Sequence, residues 1–110
     1  MTKKIDNSNE EIETLLAELW QRHLPTLHER LDILDRAAAA ASTGALAEPS
    51  REEALSIAHK LSGNLGMFGY QQAGNIASRM EHILKAPTPE DLARLSTLAR
   101  ELRATLAPQL

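Results

Sequence analysis

Apolar and polar residues follow one another along most of the chain with a period of three to four positions, which is typical of amphipathic α-helices. No segment shows the strict two-residue alternation of a β-strand, and the sequence has no repeat of fixed length. The pattern predicts an all-α fold: an antiparallel four-helix bundle with an additional short N-terminal helix. The bundle is expected over residues 9–107, after a flexible N-terminus over residues 1–8. The predicted helices cover residues 9–22, 25–42, 51–67, 71–85 and the stretch from 89 onward.

Capping signals and prolines set the predicted helix boundaries. Three sites combine an N-cap hydroxyl with a carboxylate three residues later: Ser8–Glu11, Ser50–Glu53 and Thr88–Asp91. Pro25 interrupts the first apolar pattern, and a proline inside a helix removes a backbone hydrogen bond. We therefore expect a helix break near Pro25. A continuous helix kinked at Pro25 is the alternative.

The apolar face of each predicted helix gives a candidate core. The short first helix should bury Ile12, Leu15, Leu16 and Leu19. The longer helices should bury Leu27, Leu31, Leu34, Ala38, Ala41, Ala54, Ile57, Ala58, Leu61, Leu65, Phe68, Ala73, Ile76, Ala77, Met80, Leu84, Leu92, Leu95, Ala99, Leu102 and Leu106.

Composition narrows the class of protein. The 110 residues suffice for one domain, and a net charge of −3 without a basic tract does not favour nucleic acid as a partner. The absence of cysteine excludes disulfides and thiolate metal sites. The longest apolar run, Ala37 to Ala41, is far too short to cross a membrane. We expect a cytoplasmic protein and a monomer.

One histidine lies on the side of its predicted helix that faces away from the core. On the wheel of the third predicted helix, His59 falls about 140° from the centre of the apolar face, Gly63 about 180° and Gly66 about 120°. The imidazole should therefore point into solvent beside a surface that carries few side chains. A glycine inside a helix costs about 1 kcal/mol relative to alanine. Such a cost is reasonable if another molecule must come close to His59, although Gly66 also fits a helix terminus.

The motif around this histidine resembles a known family. The His59-x-x-x-Gly63 core, the Phe68-Gly69 pair and Glu81 one helix later are similar to the histidine phosphotransfer (HPt) domains of two-component phosphorelays. The resemblance is close over about residues 50–85. The flanking predicted helices add only an architecture that is compatible with the family. It implies a helical bundle without an ATP site or kinase activity of its own. Such a protein would carry a phosphoryl group between receiver-domain aspartates.

The resemblance also assigns roles to residues. It implies that His59 accepts and donates the phosphoryl group, and an exposed neutral imidazole is a competent nucleophile. Glu81 matches a position that orients the histidine ring in some members. Residues expected to contact the partner or lie near the phosphate are Leu55, Lys60, Ser62, Gly63, Gly66 and Lys85. Many members have a lysine where this chain has Ser62, which affects the expected transfer rate and phosphohistidine lifetime.

The implied partners are receiver domains of response regulators, a hybrid histidine kinase, or both. No cofactor is expected on this chain, since Mg²⁺ would belong to the receiver. Two other classes of protein remain open. One is a helical adaptor that docks a receiver or kinase domain without being phosphorylated. The other is a small helical enzyme of the chorismate mutase type, which would need cationic side chains converging on a buried pocket. The arginines of this chain are instead scattered over positions that should face solvent.

Overall fold

The computed structural model describes the backbone of residues 2–110 and the side chains of residues 9–110. The predicted flexible N-terminus, residues 1–8, lies outside this fully described part. The helices are α1 (Thr2–Ser42), α2 (Glu48–Met67), α3 (Gln71–Lys85) and α4 (Pro89–Leu106), followed by a 3₁₀ helix, Ala107–Gln109. No strand occurs over residues 2–110, so the predicted all-α class is confirmed. In the same range, no helix combines the length and apolar character needed to cross a bilayer.

The prediction of a separate short N-terminal helix is wrong, because α1 is continuous through Pro25. A proline in a helix interior costs about 3 kcal/mol. Pro25 itself is exposed, whereas Leu27, Leu31 and Leu34 in the next turns are almost completely buried. Tertiary packing of those leucines after the proline, and of the buried Trp20 before it, holds α1 on both sides of Pro25, which the local pattern could not show.

The four helices form a closed ring of packed neighbours. Helix α1 packs on α2 and α4, and α3 packs on α2 and α4. Short connections make neighbours in sequence neighbours in space, as in an antiparallel bundle. All core residues predicted for the longer helices are buried except Phe68 and Leu92, which are half-buried against the core.

The first helix extends well beyond this bundle. Its 41 residues correspond to about 61 Å and account for the long dimension of the molecule, 60 × 21 × 21 Å. Ile12 and Leu15 are each 56% exposed, Leu19 is 39% exposed, and Leu16 is half-buried. The prediction that these residues join the core is therefore wrong, because the rest of the described chain leaves this face of α1 largely uncovered. We call Ile12, Leu15, Leu16 and Leu19 the N-terminal stripe.

Two of the three predicted capping boxes are wrong. Helix α1 begins at Thr2 rather than after Ser8, and α2 begins at Glu48 rather than after Ser50. Pro49, in the first turn of α2, does not need the amide hydrogen that it lacks. At the third site the predicted N-cap is confirmed, since the Thr88 hydroxyl accepts a hydrogen bond from the Asp91 amide at 3.2 Å.

An aromatic cluster closes the bundle where α1 leaves it. The ring centroid of Trp20 lies 5.1 Å from that of Phe68 and 4.7 Å from that of Tyr70, both in edge-to-face geometry. The indole Nε1 of Trp20 donates a hydrogen bond to the carbonyl of Gln109 at 3.0 Å. The ring of His23 stacks on Phe68. We call Trp20, His23, Phe68 and Tyr70 the aromatic cluster.

Candidate functional site

His59 lies in the middle of α2 and its imidazole is directed into solvent. Its side chain is 73% exposed, whereas the residue before it, Ala58, is completely buried. The backbone is thus fixed by a neighbour that packs into the core while the ring stays accessible. A nucleophile on a rigid helix keeps one position relative to an approaching partner.

The ring of His59 is held by a carboxylate from the next helix. Glu81 Oε2 on α3 lies 2.5 Å from His59 Nδ1, and the Glu81 side chain is only 14% exposed. A carboxylate accepts hydrogen bonds, so this contact favours the tautomer in which Nδ1 carries the proton and donates it. The lone pair of that tautomer is on Nε2, the other ring nitrogen. The arrangement therefore favours Nε2 as the nucleophilic atom.

A close approach of α2 and α3 brings this pair together. Gly74 on α3 is buried, and a Cβ at that position would lie 3.2 Å from the carbonyl oxygen of Ser62 and 3.4 Å from the amide nitrogen of Gly66. Both atoms belong to the backbone of α2. Gly74 precedes Glu81 by two helical turns on the same face. The sequence gives no reason to assign Gly74 a role, because the contact depends on the packing of two helices.

The glycines beside His59 leave the surface of α2 open. A Cβ at Gly63 or at Gly66 would meet no heavy atom within 4 Å. Gly66 is the last residue but one of α2, so the expectation that it lies at the helix end is confirmed. Gly69 ends the helix, with a φ of +90° that glycine adopts without strain. The Gly69 amide donates to the Gly66 carbonyl, and the Tyr70 amide donates to the Leu65 carbonyl, as in a Schellman motif.

Two of the other predicted contact residues lie next to His59 on α2. Leu55, one turn before His59, is half-buried and packs against the core with part of its side chain exposed. Ser62 is half-buried, and its hydroxyl donates a hydrogen bond to the His59 carbonyl at 2.7 Å. The hydroxyl hydrogen of Ser62 is therefore used within the helix rather than directed toward a phosphate.

The two lysines of the predicted site are exposed. Lys60 follows His59 directly, and an α-helix turns it about 100° away from the imidazole. Lys85 is one turn beyond Glu81 at the end of α3. Among the ion pairs of residues 9–110, neither lysine is paired with Glu81, whose partner is His59. Neither ammonium group takes part in an ion pair within this part of the chain, so both can pair with an anion.

Other chemistry-bearing groups lie away from this pair. No cluster of three or more His, Asp or Glu in the described part of the chain could hold a metal ion. A surface groove runs between α3 and α4, where Arg79, His82 and Arg94 face Asp91 and Glu101. That groove is open, contains charges of both signs and does not include His59.

Comparison with known proteins agrees with this geometry. The sequence profile of the Hpt domain matches residues 10–106. Protein RcaC of Microchaete diplosiphon is 31% identical to this chain over 78 residues, which cover 71% of the chain and 12% of RcaC. No solved structure gives a significant match. Hpt domains act in histidine phosphotransfer within phosphorelays, as phosphoryl carriers rather than kinases, together with receiver and kinase domains. Since the profile covers most of the 110 residues, the chain belongs to the Hpt domain family.

Proposed function

We propose that this protein relays a phosphoryl group between receiver-domain aspartates through His59. The observation that carries the proposal is the exposed imidazole whose Nδ1 is held by Glu81, which leaves Nε2 as the free ring nitrogen. Nothing else in the described part of α2 combines a nucleophilic side chain, high exposure and an orienting partner in this way.

The proposed step is an in-line displacement at phosphorus. The Nε2 lone pair attacks the aspartyl phosphate of the partner, and an N–P bond forms as the bond between phosphorus and the aspartyl oxygen breaks. The aspartate leaves as a carboxylate. The ring gains positive charge during the attack, and the adjacent Glu81 carboxylate stabilises this charge while Nδ1 keeps its proton. The reverse step passes the group to the next aspartate.

The proposed docking surface is the part of α2 around Leu55, His59 and Gly63 together with the adjoining face of α3. The open space over Gly63 and Gly66 lets a partner approach the helix backbone. Lys60 and Lys85 would neutralise phosphate charge by rotating toward it. The receiver supplies Mg²⁺ in this proposal, and this chain supplies the nucleophile and its orientation. The cytoplasmic location and the monomeric state expected from the sequence stay predictions.

The test is transfer from a phosphorylated receiver domain to the wild-type protein, to His59→Gln and to His82→Gln. His82 is an exposed histidine on α3 and serves as the matched control. We expect label on the wild type and on His82→Gln, and none on His59→Gln, with the acid lability and alkali stability of a phosphoramidate. Full labelling of His59→Gln would refute the assignment.

A non-phosphorylated adaptor is the alternative function. It predicts that receiver binding is independent of the imidazole, so His59→Ala would bind as the wild type does and no receiver would transfer label. The hydrogen bond between His59 and Glu81 favours the relay, because a docking surface alone does not need an oriented ring nitrogen.

A further inference from the structure

The N-terminal stripe is an apolar surface that the bundle leaves uncovered. Ile12, Leu15 and Leu19 are exposed on a part of α1 that no other helix of residues 9–110 covers. A helix exposed on all sides gains little from tertiary packing, and one of fewer than about 15 residues is marginal by itself. A contiguous apolar stripe on such a helix is typical of an interaction surface.

Carboxylates line both edges of this stripe. On a helical wheel, Glu11 and Glu18 lie about 90° and 110° to one side of its centre, and Glu13 about 110° to the other. No lysine or arginine occurs between residues 9 and 21. A shallow groove follows the first edge, lined by Glu10, Glu11, Thr14, Leu15 and Glu18. The surface is therefore apolar in the middle and acidic at its borders.

The stripe leads into a notch at the aromatic cluster. The α1 side of the notch is lined by Glu13, Leu16, Ala17, Trp20 and Gln21, and the opposite side by Phe68, Tyr70 and Gln109. The notch lies where α1 joins the bundle and is continuous with the stripe through Leu16. A helix that lies along the stripe could place its end in this notch.

We propose that the N-terminal stripe binds a partner helix with one apolar face bordered by lysine or arginine residues. Burial of the apolar side chains would provide most of the binding free energy, and the two acidic edges would favour a basic partner over an acidic one. This surface is formed by α1 and the aromatic cluster, whereas His59 and Glu81 lie on α2 and α3. The proposal is thus independent of the phosphorelay chemistry.

A second copy of this chain fits the stripe less well. Because acid lines both edges, a parallel or an antiparallel pairing of two stripes would set carboxylates of one copy against carboxylates of the other. Like charges placed together oppose association. The stripe is also shorter than the three to four heptads that a self-sufficient coiled coil usually needs.

The test uses two synthetic amphipathic peptides of about 14 residues, which is about four helical turns. They share the same leucine pattern, and one carries lysine where the other carries glutamate. Trp20 is the only tryptophan of the chain and lies beside the notch, so its fluorescence reports binding. The variants are the double substitution Ile12→Ser with Leu15→Ser, and, as control, Ala39→Ser at an exposed position of α1 far from the stripe and the notch.

We expect the lysine peptide to bind the wild type and Ala39→Ser with equal affinity. Binding should be at least about tenfold weaker for the double variant and for the glutamate peptide. Added salt should weaken the binding, since the acidic edges are exposed. The bundle should melt at an unchanged temperature, because the substituted side chains lie outside it. Equal binding of both peptides, or undiminished binding by the double variant, would overturn the proposal. A dimer in sedimentation experiments that the double variant abolishes would assign the stripe to a second copy and also overturn it.

Discussion

The substitution Gly74→Ala probes the contact that brings α3 close to α2. The new Cβ would lie 3.2 Å from the Ser62 carbonyl oxygen and 3.4 Å from the Gly66 amide nitrogen. Both are backbone atoms inside α2, so neither can rotate away as a side chain could. The two helices must therefore separate by a few tenths of an ångström, which also moves Glu81 relative to His59.

The expected change in the free energy of unfolding is the difference between two opposing effects. Overpacking in a tight core costs about 1–3 kcal/mol, and replacing a helical glycine by alanine returns about 0.5–1 kcal/mol. We expect Gly74→Ala to lower the free energy of unfolding by about 1 kcal/mol, which corresponds to a decrease in Tm of about 4–8 °C for a domain of roughly this size.

Gly63→Ala is the matched control, because a Cβ at Gly63 meets nothing within 4 Å. Only the gain in helix propensity remains, so this variant should be more stable than the wild type by about 0.5–1 kcal/mol. Urea denaturation and thermal melting followed by circular dichroism measure both variants. If Gly74→Ala is stabilised as much as Gly63→Ala, the helices tolerate the extra methyl group and the close-contact argument is wrong.

Two further predictions concern the bundle. Arg103 on α4 donates hydrogen bonds to Asp35 at 2.6 Å and to Asp32 at 2.7 Å, both on α1. Arg103→Met should lower the free energy of unfolding by at most about 1 kcal/mol, because these ion pairs are partly exposed. The decrease should be smaller in high salt, which screens the charges. Arg100→Met, which removes none of the ion pairs of the described side chains, should change stability less in the same melts. Burial, and then the charge of Arg30, lower the pKa of His23 below 6.5. The unfolded chain then binds this proton more readily than the folded one, so stability should fall as the pH drops below about 6.5. Denaturation of His23→Gln between pH 7.5 and 5 should show a smaller decrease than the wild type, and an identical decrease would contradict the reasoning.

Most of the bundle could be predicted from the sequence because its helices carry strong local signals. The apolar face of α3 and the Thr88 cap are visible in the pattern, and both are present in the structure. The continuity of α1 could not be predicted, because the penalty at Pro25 is local whereas the compensation comes from leucines packed against other helices.

The candidate site likewise combines features that the pattern of a single helix predicts with features that depend on the packing of two helices. The exposure of His59 follows from its angle on the α2 wheel, and the glycines beside it mark an open surface. The fit of Gly74 against the α2 backbone does not follow from any single-helix pattern. At Ile12 and Leu15 the sequence correctly predicts the apolar face of a helix, yet both residues are exposed. Periodicity identifies an apolar face but does not say whether other parts of the chain cover it.

The most direct measurement is to locate the phosphoryl group after transfer from a phosphorylated receiver domain, using ¹⁵N NMR of the histidine ring nitrogens. We predict a single phosphohistidine at His59, bonded through Nε2, while Nδ1 keeps its hydrogen bond to Glu81. A phosphoryl group on Nδ1, on another residue, or still present in His59→Gln would contradict the proposed relay.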